Sequence, residues 1–311
     1  MSEISVIESE RFLPELRKLR NIDRYPVKCQ WEITCRCNFK CVMCYTDCYN
    51  TPQHISEELS TREILRIMDE MKEAGVLDLV LTGGEPMSRP DFEEIYVHAV
   101  TSGFLVTLFT NGAFVDEYWI ELWKRFPPQM IEISFHGIRE NTFDAVTGMR
   151  GSHKRVQRSL RLLLENSLPL TLKTTGLTLN HEEVLEVKKY ARTLPNVYFR
   201  FGNVLRPLVN GDQDPRQYQI PDDRIAQIYS EDPEFTQALD RQEEEEKQNS
   251  GCHEGRSRFH IDAYGNLQLC SSNRRQSYNL RSGNFKEGFY ERLPFFACPH
   301  KSVKHSAEKA G

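Results

Sequence analysis

The sequence predicts an α/β protein: an incomplete (β/α)6 barrel of the TIM type with a small C-terminal extension. Three observations carry that expectation. Six short strand-like runs alternate with stretches of helical apolar spacing, each run ends on turn residues, and the chemically distinctive residues fall at those ends. Barrel active sites lie where the strands end, so the coincidence is itself informative.

Residues 28–34 read as the first strand, running straight into a cysteine-rich loop. Ser60 and Glu63 form a capping box, and Ile64, Ile67, Met68 and Met71 follow at helical spacing until Gly75. Residues 78–82 are an apolar run of strand length that stops at Gly83, Gly84, Glu85 and Pro86. A helix over 91–102 precedes a strand over 104–109 that ends at Thr110, Asn111 and Gly112. A helix over 115–125 precedes a strand over 130–135 that ends at His136 and Gly137. A helix over 153–166, a strand over 169–175, a helix capped by Asn180 and running to 193, and a strand over 197–201 complete six units. The expected organisation is a leader at 1–27, a core at 28–205, a connector at 206–250 and a small extension at 251–311. The connector ends in an acidic run at 243–250, expected to be a solvated helix. The extension holds a hairpin around 262–266.

A hydrophobic fraction of 39% and a charged fraction of 27% are those of a globular protein, and a net charge of −5 without a basic stripe argues against nucleic acid. No stretch reaches the ~18 apolar residues of a membrane span, and the first ten residues lack the pattern of a signal peptide. A cytoplasmic location is expected. Nine cysteines then call for an explanation other than disulfides, and six of them crowd into 29–48.

Cys37, Cys41 and Cys44 stand at spacings of four and three positions. A four-iron cluster normally takes four thiolates, so three leave one iron open. A zinc site drawn from Cys35, Cys37, Cys41, Cys44 and Cys48 is the alternative, although zinc usually joins two separated pairs. Cys29, on the first strand, reads as a core residue. Cys35 and Cys48 are either ordinary thiols or redox-active ones.

Together with Gly83, Gly84 and Glu85 at the end of the next strand, this spacing resembles the radical S-adenosylmethionine (SAM) superfamily, over roughly the first 200 residues. The resemblance implies a [4Fe-4S] cluster on Cys37, Cys41 and Cys44 whose open iron is chelated by SAM. It implies reductive cleavage of SAM to a 5′-deoxyadenosyl radical, and hydrogen abstraction from a substrate. It places the backbone of Gly83 and Gly84 and the carboxylate of Glu85 against the SAM amino group, and Asn111, Ser134 and Lys173 near its ribose and carboxylate. Turn chemistry, packing or an ordinary ion pair are the competing readings of those last three. The residue before the third cysteine, often aromatic in the family and beside the adenine, is Met43 here. Tyr45, after the cysteine, is the substitute candidate. No side chain is assigned as catalytic, since the abstracting species is the cofactor radical.

Cys252, Gly265 and Cys270 resemble the opening of the SPASM and twitch extensions, and Cys298 completes a three-cysteine set for an auxiliary [4Fe-4S] cluster. The shorter twitch form is the better match. Ordinary thiols or zinc are the alternative, and His300 and His305 are nearby but more in keeping with a solvated tail. The expected function is modification of a ribosomally made peptide by cross-linking or epimerisation, with a flavodoxin-like or ferredoxin-like reductant as partner. The alternatives are a dehydrogenase or epimerase of a small sugar-like or aminocyclitol-like substrate, and a non-catalytic metal-binding protein. The 27 residues before the first strand are expected to be too few for a dedicated leader-peptide domain, so a peptide would be presented by a partner or bound directly. The last six residues are expected to be disordered.

Overall fold

Alternation along each strand decides which side chains meet the helices and which line the inside of the sheet. The computed structural model describes residues 24–46, 50–208, 214–237 and 254–298. Cys48, the acidic run, Cys252, His300, His305 and the terminal six residues lie outside them. Strands β1 (Lys28–Glu32), β2 (Asp78–Thr82), β3 (Leu105–Thr110), β4 (Met130–Ser134), β5 (Leu170–Thr175) and β6 (Val197–Gly202) lie side by side in chain order. Every pair among them is parallel. Helices α1 (Pro52–Glu57), α2 (Thr61–Glu73), α3 (Phe92–Thr101), α4 (Glu117–Arg125), α5 (Glu140–Thr147), α6 (Ser152–Glu165) and α7 (Val184–Thr193) fill the crossovers. This is the expected partial barrel of six units.

Cys29 and Trp31 of β1, Leu79 and Leu81 of β2, and Ile131 and Ile133 of β4 are buried in one apolar core with Ile64, Ile67 and Met68 of α2. The capping box forms as expected, Ser60 N–H donating to Glu63 Oε2 at 2.7 Å. The alternate residues Glu32, Glu132, Lys173 and Arg200 face the other way, so the inside of the sheet is polar where a closed barrel would pack branched aliphatics.

Two helices escaped the sequence reading. α1 has no buried residue, and α5 has only eight residues, too few for the apolar period to stand out. Asn180 is not the N-cap of α7, which begins at Val184 after Glu183. Its side chain instead accepts from Leu177 N and donates to the carbonyls of His136 and Thr175. The described part of the connector is a docked helix, α8 (Asp222–Ser230), with Ile228 and Phe235 packed on Val184. There the buried Lys188 pairs with Asp232 at 2.7 Å.

The extension continues the sheet. β7 (Arg258–Ile261) lies parallel to β1, and β8 (Asn266–Gln268) and β9 (Tyr278–Asn279) follow antiparallel. Phe285 stacks on Phe289, Phe259 meets both rings at an angle, and all three belong to the same core as Trp31. Truncating Phe259 to Ala is therefore expected to destabilise the whole chain by about 3–5 kcal/mol in a single unfolding transition. Urea denaturation followed by circular dichroism and tryptophan fluorescence checks this. An earlier, separate transition would show that the extension folds by itself.

Candidate active site

The cysteine loop leaves β1 and is pinned from several sides. Gly84 N–H donates to Thr34 O at 3.0 Å and Glu85 N–H to Arg36 O at 2.7 Å, so the loop after β2 lies flat against the start of the cysteine loop. A Cβ on Gly84 would stand 2.2 Å from Arg36 O, so only glycine permits this approach. From the far side, Lys40 N–H and Val42 N–H donate to Thr147 O and Val146 O at the end of α5. Gly148, with φ of 63°, ends that helix so closely that a Cβ would meet Lys40 O at 2.3 Å. Asn50 accepts from Cys37 N–H and donates to Cys37 O.

Cys37, Cys41 and Cys44 are partly exposed free thiols on this loop. Burial pushes the Cys41 thiol up, and the charges of Cys44 and Cys37 push it further. Phe39 N–H donates to Cys37 Sγ at 3.4 Å, and the Asn111 amide approaches the same sulfur at 3.9 Å. Hydrogen bonds to sulfur are one of the features that tune an iron–sulfur centre. Among the described residues, no group of three His, Cys, Asp or Glu side chains stands close enough together to hold a metal ion. Three cysteines on one short loop are nevertheless the residue type that iron–sulfur clusters take as ligands.

The structure gives several of the sequence-assigned residues a more specific place. Glu85 is fully buried, its carboxylate accepting from Met87 N–H, from Thr110 Oγ1 at 2.9 Å and from Asn111 N–H at 2.7 Å. This is the carboxylate expected against the SAM ammonium, and these donors tie it to the end of β3. Gly83 and Gly84 keep partial exposure. Burial pushes Glu85 up to about 7 in spite of those donors. Asn111, expected at the ribose, gives its amide to Asn38 Oδ1 at 2.7 Å and accepts from Ala113 N–H, tying β3 to the cysteine loop. Ser134 ends β4, partly exposed, in register with Lys173. Lys173 lies over the Phe109 ring and 3.2 Å from Glu132, which also pairs with Arg200 at 3.1 Å.

Tyr45 turns toward the extension. The Arg274 guanidinium sits over its ring, and withdrawal from water pushes its hydroxyl up to about 12, with Glu32 adding to the shift. Met43 packs in a small apolar cluster with Val146 and Leu177. Arg274 also clasps Glu32 with two bonds, of 2.8 and 2.5 Å. Burial alone would raise Glu32, but His260 and Arg274 hold it down at about 2. In the extension, Cys270 bridges to Asn273, whose amide donates to Ala297 O at 2.8 Å, bringing the segments of Cys270 and Cys298 together. Cys29 is a core residue as expected. Glu58, Asn38, Asn50 and Val146 to Gly148 were missed. Only Gly148, as a helix-ending glycine, carried a sequence signal.

The profile of the radical SAM superfamily matches residues 31–191. The chain belongs to that superfamily. An AdoMet-dependent heme synthase of Methanosarcina barkeri is 31% identical over 183 residues, covering 59% of this chain and 52% of that protein. A PqqA peptide cyclase of Granulibacter bethesdensis is 34% identical over 144 residues, 45% of this chain and 37% of its own length. The chain thus spans about half or less of these curated relatives. Streptococcus suis SuiB bound to its precursor peptide SuiA superposes with a TM-score of 0.69 at 13% identity, over 94% of this chain and 73% of SuiB. Among the described residues no helix is long and apolar enough to cross a membrane.

The Glu85 carboxylate gives a pH signature. Its folded value lies above the ordinary 4.5, so the folded state holds a proton that the unfolded state has lost. Stability from this group is complete below 4.5 and declines as pH rises to about 7. Glu85→Gln, which stays neutral, is expected to flatten that part of the thermal-stability profile. An unchanged slope would show that Glu85 is ionised throughout.

Proposed function

We propose that this chain reductively cleaves SAM at an iron–sulfur cluster held by Cys37, Cys41 and Cys44, and abstracts a hydrogen atom from a ribosomally made peptide, leading to a cross-link or an altered stereocentre. The observation that supports this reading is the seam between Gly84 and the start of the cysteine loop, where the N–H groups of Gly84 and Glu85 meet the carbonyls of Thr34 and Arg36 just ahead of the three cysteines. When bound, the cluster and SAM supply the one-electron reduction and the radical hydrogen abstraction. The chain's own residues do the holding. The N–H groups of Phe39 and Asn111 approach the Cys37 sulfur, Gly83 and Gly84 present backbone to the SAM amino group, and Ser134 and Lys173 offer polar contacts at the ends of β4 and β5.

A peptide substrate is supported by the named activity of the PqqA relative and by the likeness in fold to SuiB, which binds a precursor peptide. The heme synthase relative favours a second reading, a small molecule lying over the polar inner face near Glu132, Lys173 and Arg200. An auxiliary cluster on Cys252, Cys270 and Cys298 belongs to either reading, as does a flavodoxin-like or ferredoxin-like electron donor working in the cytoplasm. The tie from Asn273 to Ala297 supports bringing Cys270 and Cys298 to one centre.

Anaerobic reconstitution tests the proposal. The wild type should carry about eight irons and release 5′-deoxyadenosine from SAM with dithionite, while a Cys37→Ala, Cys41→Ala, Cys44→Ala variant should keep about four and release none. About four irons falling to none would remove the auxiliary cluster alone. Zinc without SAM cleavage would overturn the whole reading.

A further inference from the structure

The chain carries another thiol, Cys35, two positions before the first ligand of the cluster loop. Two residues span at most about 7 Å, so a cluster on Cys37 would lie within reach of that sulfur. A fourth thiolate on the cluster would occupy the iron that SAM needs. Something must keep Cys35 away, and the structure shows what holds it.

Glu58, just after α1, is buried beneath the start of the cysteine loop with 6% of its surface exposed. Its Oε1 accepts from Thr34 Oγ1 at 2.7 Å, from Cys35 N–H at 2.7 Å and from Cys35 Sγ at 3.1 Å. Its Oε2 faces Arg36 at 3.0 Å and Arg89 at 3.6 Å. One carboxylate oxygen therefore holds both the backbone and the thiol of Cys35, and two guanidiniums fix the other oxygen. Arg89 is itself locked by donating to Ile33 O and Leu59 O and by pairing with Asp91. The backbone carrying Glu58 is fastened to the extension, where Arg281 donates to Glu57 O and Glu58 O and Leu59 N–H donates to Ala263 O. Tyr264 of the hairpin turn reaches the same sulfur. On the opposite side the Thr34–Arg36 backbone lies against Gly84. Cys35 is clamped between the two.

We propose that Glu58 is a positioning residue that holds the Cys35 thiol out of the iron–sulfur cluster and so keeps the SAM-binding iron open. The inference rests on the three-cysteine cluster proposed above. Without Glu58, Cys35 would lose the carboxylate that holds its backbone and side chain, and its sulfur would be placed to take the iron that SAM needs. The cluster would then keep its iron and lose its ligand site.

The test uses the anaerobically reconstituted full chain as wild type, Glu58→Ala, and Glu58→Ala with Cys35→Ala, measuring iron per chain and SAM binding by equilibrium dialysis. The expected pattern is wild-type iron in all three, SAM affinity reduced at least about tenfold in Glu58→Ala, and recovery to within about threefold of wild type in the double variant. A folded Glu58→Ala that loses iron, or a double variant as weak as the single one, would show a structural role only and overturn the inference. So would undiminished SAM binding in the single variant. A wild type that loads iron and binds no SAM removes the cluster reading and this inference together. If the alanine variants fail to fold, Glu58→Gln with and without Cys35→Ala decides in the same way. The amide keeps the volume but presents one NH2 to a cluster of donors, so the same pattern is expected at lower amplitude.

Discussion

The mouth of the barrel depends on two backbone hydrogen bonds, from Gly84 and Glu85 N–H to the carbonyls of Thr34 and Arg36. They continue the parallel pairing of β1 and β2 beyond the strands, and they form only because residue 84 has no side chain. From that seam the rest of the site follows. Glu85 is drawn inward to collect the end of β3, Asn111 is brought to Asn38 and Cys37, and the cysteine loop is left to be closed by α5 on its far side. The site is a set of loops held by one another's backbone.

Burial and charge divide the barrel into two faces with different tasks. The outer face of the strands packs aliphatic and aromatic side chains under the helices. The inner face carries two buried carboxylates, each paired with cations, Glu32 with Arg274 and Glu132 with Lys173 and Arg200. Buried ion pairs add little net stability, but removing one partner is costly, so such pairs fix geometry more than they strengthen the fold. The extension contributes to both faces. It extends the sheet through β7, and it sends Arg274 to Glu32 and Arg281 to the backbone of Glu58.

The strands were legible in the sequence because each is a short apolar run closed by turn residues, and the span of β2 agrees with the sequence reading residue for residue. The capping box at Ser60 was legible because it is a local pattern. α5 was not, since eight residues carry few apolar positions and its use, receiving the cysteine loop, is a long-range contact. The spacing of the three cysteines and the two glycines marked a candidate site, but the hydrogen bonds that Glu85 and Asn111 make could not be read from it. Both depend on what the fold encloses. Glu58 was invisible for the same reason: nothing in its neighbours along the chain shows that it lies under Cys35.

The measurement that tests the central claim most directly is iron-57 Mössbauer spectroscopy of the reconstituted protein with and without SAM. A cluster on three thiols with an open iron predicts that SAM changes the parameters of a single iron site and leaves the others in place. A spectrum that SAM does not alter would contradict the account, because it would mean that no iron in this chain is open to that ligand.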